Sequence, residues 1–133
     1  MLFLGFGTGL GTTLIVDGTV VAMELAHLPF KKATFEDYVG ERALESMGRR
    51  KWRKHVADVI ARLSAALVPE DIVLGGGNSA NIKDLPPLCR IGDNKNAFPG
   101  GFRMWASDAK PRKSTARAAP KKKRPAKAAK RKK

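Results

Sequence analysis

Leu2-Phe3-Leu4-Gly5-Phe6-Gly7-Thr8-Gly9-Leu10-Gly11-Thr12-Thr13-Leu14-Ile15-Val16-Asp17-Gly18-Thr19-Val20-Val21-Ala22-Met23 is the stretch that decides the fold. Leu2 to Phe6 is a short apolar run of the kind that fills a buried strand. Thr12 to Val16 and Thr19 to Met23 are rich in β-branched residues, which pack well on a pleated surface. Asp17-Gly18 between them is a two-residue hairpin signal, because the favoured tight turn needs positive φ at its centre. The stretch therefore predicts a three-stranded meander with a glycine-rich first turn.

Beyond the meander, Pro29 interrupts the chain. Thr34 is a candidate N-cap, with Glu36 and Asp37 in the first turn, so a helix is predicted from Phe35 to Met47, stopping at Gly48. Trp52, Val56, Val59, Ile60, Leu63 and Leu67 recur at helical spacing and form one apolar face; Pro69 ends that helix. Ile72 to Leu74 reads as a buried strand, followed by Gly75-Gly76-Gly77 and a short helix capped by Asn78. Leu88 to Ile91 is a last strand, and Asn96 to Trp105 a closing helix weakened by Pro99-Gly100-Gly101. The expected class is α/β, with a mixed sheet in the order βββαβαβα. Trp52, Phe102 and Trp105 are expected in the core and His55 in a structural role. The cationic run Arg49, Arg50, Lys51, Arg53 and Lys54 is a solvated face or, alternatively, one wall of a groove for a polyanion.

Charge divides the chain. Of its 26 Lys and Arg, 13 lie in residues 110–133, which contain none of the 12 acids. The net charge of +14 thus falls almost wholly on that segment. A domain is expected over residues 1–107. Residues 108–133, dominated by Lys, Ala and Pro, hold too little apolar surface to offset the entropy of ordering and are expected to be disordered. Cys89 is the single cysteine, so no internal disulfide can form, which fits a reducing, cytoplasmic compartment. With two histidines beside it, no standard structural zinc site can be built. No apolar run approaches the ~20 residues that span a bilayer, and no basic region precedes the first apolar residues as in a signal peptide.

Two glycine-rich turns could carry chemistry. Gly7, Thr8 and Gly9 lie between strands, where glycine lets backbone N–H groups approach a phosphate and Thr8 adds a hydroxyl. Neither the P-loop nor the dinucleotide pattern is present, and a plain hairpin turn is the alternative. Gly75, Gly76 and Gly77 join a strand to a helix start, a place that favours an anion; a tight connection is the alternative. Glu24 and His27 can hydrogen-bond sugar hydroxyls; an ordinary surface or loop pair is the alternative. Lys121, Lys122, Lys123 and Arg124 could hold nucleic acid or polyphosphate through counterion release, or simply solubilise the chain.

The order of these motifs resembles the ROK sugar kinases of the actin-like ATPase superfamily, and among them the polyphosphate glucokinases. The resemblance is carried by residues 3–11, by Leu14-Ile15-Val16-Asp17-Gly18, Glu24-Leu25-Ala26-His27-Leu28 and Asp37-Tyr38-Val39-Gly40. Lys51-Trp52-Arg53-Lys54-His55-Val56, Val73-Leu74-Gly75-Gly76-Gly77-Asn78 and the Gly92-to-Phe98 run with Gly100-Gly101-Phe102-Arg103 continue it. It implies a single ribonuclease H-like lobe, the C-terminal one of the family fold. It also implies that Gly7, Thr8 and Gly9 contact the donor phosphates, that Gly75, Gly76 and Gly77 lie near the nucleotide or polyphosphate, and that Glu24 and His27 bind glucose. Mg²⁺ would be held mainly by the phosphates of polyphosphate or ATP.

Departures accompany it. The Asp-x-Gly-Gly-Thr phosphate loop of the family is absent, and no acid precedes the Gly-Thr-Gly turn where the family's catalytic Asp lies, so no catalytic residue is assigned. Ala26 stands where the broader family has Gly, and the zinc-binding cysteines of many relatives are missing, so no zinc is expected. The implied state is a folded lobe that does not phosphorylate sugar alone, whether a gene remnant, a mis-started product or one half of a split enzyme, with a homodimer or pairing with a separate N-terminal lobe as the alternatives for its assembly. Both glycine turns are expected along one rim of the sheet.

Overall fold

A computed structural model describes residues 1–96, 98–100 and 102. Strands β1 (Leu2–Phe6), β2 (Leu10–Val16) and β3 (Thr19–Met23) form the antiparallel meander. Asp17 and Gly18 take φ of 50° and 74°, the turn geometry that the Asp-Gly pair favours. Two short strands, β4 (Pro29–Phe30) and β5 (Ala33–Thr34), make a small hairpin that periodicity did not signal. After the helices come β6 (Ile72–Gly75) and β7 (Cys89–Ile91), both parallel to β1's direction. The five-stranded sheet runs in the spatial order β3-β2-β1-β6-β7.

Helix α1 (Phe35–Val39) begins in a capping box. The Thr34 hydroxyl accepts from the Asp37 N–H, while the Asp37 carboxylate accepts from the Thr34 N–H at 2.9 Å and from its hydroxyl at 2.6 Å. These bonds hold the Asp37 carboxyl below its ordinary value. The predicted continuous helix to Met47 is broken at Gly40, whose extended backbone turns the Glu41 N–H toward the Thr8 carbonyl at 3.2 Å. Helix α2 (Glu41–Leu67) restarts there and is interrupted at Gly48, where φ is 75°, the break the sequence predicted. The short helix expected from Asn78 is instead a single 3₁₀ segment, Gly77–Asn81, entered from Gly76.

One face of the sheet carries the core. Leu2, Leu4, Phe6, Ile72 and Leu74 pack under Trp52, Val56, Val59, Ile60 and Leu63 of α2, all buried. Trp52 is fully buried, meets Phe6 edge-on at 6.1 Å and donates from Nε1 to the Val39 carbonyl at 2.8 Å. That bond satisfies a carbonyl left over at the end of α1. The other sheet face, with Phe3, Thr13, Ile15 and Val73, lines an open hollow. Phe98, Pro99, Gly100 and Phe102 are helical, but Phe98 and Phe102 are 71% and 78% exposed, so Phe102 is not the core residue expected. Pro99 and Gly100 give that stretch little helix to pack with. Trp105, the end of the closing helix and all of residues 108–133 lie outside the described residues.

His55 lies within an aromatic cluster, 5.1 Å from the Tyr38 ring and 6.1 Å from Phe30. The Lys31 ammonium donates to its Nδ1 at 2.8 Å, which requires a neutral ring. Burial first, then repulsion from Lys31, lowers its pKa, against a weaker pull from Asp58. As pH falls the unfolded chain takes up this proton first. Stability is therefore full above the ordinary value of 6.5 and declines as pH drops through it toward the folded value. The melting temperature should fall between about pH 7 and pH 5, and His55→Phe, which keeps the ring contacts, should flatten that slope; an unchanged slope would refute the assignment.

Gly76 has φ of 83°, and a Cβ there would collide with the Phe6 backbone, which cannot retreat. Gly77 has open space where its Cβ would go. Gly76→Ala should cost at least about 2 kcal/mol in urea denaturation, while Gly77→Ala stays within about 0.5 kcal/mol.

Candidate functional site

Strands β1 and β6 are parallel neighbours, with Gly5 opposite Gly75. Both therefore end at the same edge of the sheet, and the turns that follow them emerge side by side. Asn78 ties the two together, its Nδ2 donating to the Gly7 carbonyl at 3.2 Å. The Gly7 N–H donates to the Gly9 carbonyl at 3.1 Å and closes a tight bend. The Gly76 N–H donates to Asn94 Oδ1 at 3.2 Å. Among the described residues, the Thr8 and Gly9 amides have no hydrogen-bond partner.

The segment after β3 borders this edge. Buried Thr12 holds it, donating its hydroxyl to the Met23 carbonyl at 2.8 Å and accepting from the Leu25 N–H at 3.1 Å. Glu24 and His27 are thereby carried past the last rung of the sheet, both exposed. The Ala26 carbonyl accepts from the Glu36 N–H at 3.0 Å and draws the first turn of α1 inward. The Glu36 carboxylate accepts from the Leu10 N–H at 3.4 Å and occupies the space that a Cβ on Gly9 would need.

A surface cleft of about 560 Å³ gathers Gly7, Gly9, Gly76, Glu24, His27 and Glu36. The two glycine turns thus share a cavity, and the Glu24–His27 pair opens into the same one. Three expected positions fall elsewhere. Thr8 is exposed and does not line the cleft. Gly75 is buried and lines the hollow on the open sheet face, close under the Phe3 ring. Gly77 is exposed. Lys121, Lys122, Lys123 and Arg124 lie outside the described residues.

Glu36 is the cleft residue that sequence reasoning missed. In the sequence it is only an acid in the first turn of a helix, one place before Asp37. No spacing separates the two, yet Asp37 turns back to cap the helix and Glu36 turns forward to the glycine bend. The cleft joins one unengaged backbone donor, the Gly9 amide, to two carboxylates and an imidazole. Such a set can bind an anion on one side and polyhydroxyl groups on the other. Among the described residues, no three His, Cys, Asp or Glu side chains converge as metal ligands, and no helix is long and apolar enough to cross a membrane.

No protein-family profile matches the chain. Polyphosphate glucokinases of Mycobacterium tuberculosis strains CDC 1551, H37Ra and H37Rv are 32% identical to it over 95 residues, covering 66% of this chain and 34% of theirs. Among solved structures, the inorganic polyphosphate/ATP-glucomannokinase of Arthrobacter sp. strain KM superposes with a TM-score of 0.61 at 23% identity, over 68% of this chain and 39% of that one. The ROK hexokinase of Thermus thermophilus gives a TM-score of 0.52 at 22% identity, over 62% of this chain and 42% of that one. These two likenesses establish the mixed α/β fold. The chain spans about a third of the length of the curated relatives it matches. The chain is thus similar in sequence to part of the polyphosphate glucokinases, and its fold is that of the ROK sugar-kinase structures.

Proposed function

We propose that the cleft is the donor- and sugar-binding half of a glucokinase-type site, and that the chain binds and positions substrates without turning them over alone. The observation that carries this reading is the convergence of Gly7, Gly9 and Gly76 with Glu24, His27 and Glu36 on one cavity. The free amide of Gly9 supplies a fixed dipole for a terminal phosphoryl group. Glu24 and His27 accept from and donate to glucose hydroxyls, which orients the 6-hydroxyl toward that phosphorus. Glu36 stiffens the bend by holding the Leu10 amide. Relatives named for polyphosphate and for ATP support either compound as donor. Mg²⁺ fits this donor set as an ion carried on the phosphates with one or two carboxylates nearby, where it would neutralise charge on the transferring group.

Transfer requires that the 6-hydroxyl oxygen bond to the terminal phosphorus while the bridging P–O bond breaks, the hydroxyl proton passing to a base. Of the carboxylates lining the cleft, Glu36 is engaged with the Leu10 amide and Glu24 belongs to the sugar. The base is therefore assigned to a group outside this half of the site. Polyanion binding through Lys121, Lys122, Lys123 and Arg124 is a second reading, supported by the concentration of positive charge in residues 110–133.

Two measurements test the cleft. Tripolyphosphate should shift the amide resonances of Gly9 and Gly76, and glucose those around Glu24 and His27, with His27→Ala weakening glucose by about tenfold; silence at these amides up to millimolar ligand sinks the reading. The purified chain with glucose, Mg²⁺ and either polyphosphate or ATP should show no turnover above background. Glucose phosphorylation at the rate of a complete kinase, on the order of 1–100 s⁻¹, would remove the binding-only assignment.

A further inference from the structure

A second concavity, of about 330 Å³, lies between α2 and the stretch that follows the 3₁₀ segment. Val56 and Ile60 of α2 form an apolar floor with Ile82 and Pro86. Arg50, Arg53, Lys54 and Lys83 line the same groove, against one carboxylate, Asp84. Among the described residues the ion pairs are Arg62–Asp58 and Arg90–Asp71, and neither involves these four cations. Leu85, in the chain between two lining residues, is 43% exposed. Pro86 and Pro87 fix φ along this wall, so little freedom is lost when something packs against it.

Arg53 is the fixed point of the rim. It is half-buried, and its Nε donates to the Asn81 carbonyl, while its Nη groups have no partner among the described residues. A guanidinium held in this way presents a fork that matches a carboxylate, where a lysine offers only a point charge. The combination selects the occupant. Nucleic acid would answer the charge, but no aromatic side chain lines the groove for its bases to stack on. The volume is at the low end of the ~300–1,000 Å³ of small-molecule pockets, and suits an apolar anchor better than a whole cofactor. An apolar centre inside a charged rim is the anatomy of a protein interface. We propose that this groove docks an acidic peptide segment of a partner protein, one large apolar side chain resting on Val56, Ile60 and Ile82 and the neighbouring carboxylates meeting Arg53 and the three exposed cations. The site is separate from the glycine-turn cleft and does not depend on the function assigned there.

The test uses the full chain, so that the basic residues 110–133 contribute equally throughout. Two labelled peptides of equal charge serve as probes, Glu-Glu-Phe-Leu-Glu-Glu and Glu-Glu-Gly-Ser-Glu-Glu. The first should bind roughly tenfold more tightly, through burial of its apolar pair, and should shift the amide resonances of Ala57, Ile82 and Lys83. The triple variant Arg50→Gln/Lys54→Gln/Lys83→Gln should weaken it about fivefold more than Lys32→Gln/Arg42→Gln/Lys51→Gln, which removes the same charge elsewhere. Arg53→Lys keeps the charge and loses the fork, and should weaken it about threefold with the melting temperature unchanged. Equal affinity for the two peptides, or equal losses in the two triple variants, overturns the proposal. The same groove dependence for single-stranded DNA or polyphosphate of matched charge also overturns it, because the groove would then be a general polyanion path.

Discussion

The parallel pairing of β1 with β6 governs everything at the site. Each strand is followed by a glycine turn, and parallel neighbours must end at the same edge. Gly5 opposite Gly75 fixes the register, and the Gly76 backbone then crosses so close to Phe6 that no side chain fits between. Sites of open α/β sheets form where strands end in this way, with connections leaving on either side. Asn78 reaching the Gly7 carbonyl then locks the two turns into one rim.

Packing on the far side supports that rim. Trp52 joins the end of α1, the length of α2 and the underside of β1 through one ring and one hydrogen bond. The Glu41 N–H meets Thr8 directly, so the glycine bend is fastened to the helices from below. Thr12 performs the same service for the Glu24–His27 segment. The cleft is thus lined by backbone and loop residues, each anchored to the core by a single named contact.

Much of the fold was legible because local chemistry and global topology agree. The meander follows from β-branched runs and an Asp-Gly turn, and α2 from six apolar residues at helical spacing. What could not be read depends on partners distant in sequence. The break at Gly40 needs the Thr8 carbonyl, 32 positions earlier, as its reason. Glu36 becomes a cleft residue because Leu10 offers it an amide, and its neighbour Asp37 shows that the same residue class one step on does something else. Phe102 looked like core by composition, but burial needs a partner surface and a helix able to present the ring. The glycine turns were found by pattern; which of their residues face the cleft was decided by the twist and register of β1 and β6.

Strand β3 lies at the outer edge of the sheet, with Val20 and Val21 exposed along it. Among the described residues nothing covers its outward N–H and C=O groups. Such an edge is a template on which another extended segment can add. Surplus positive charge keeps copies apart at low ionic strength, and its range shrinks to about 3 Å in 1 M salt. Concentrated salt therefore removes the electrostatic barrier that protects this edge from self-association.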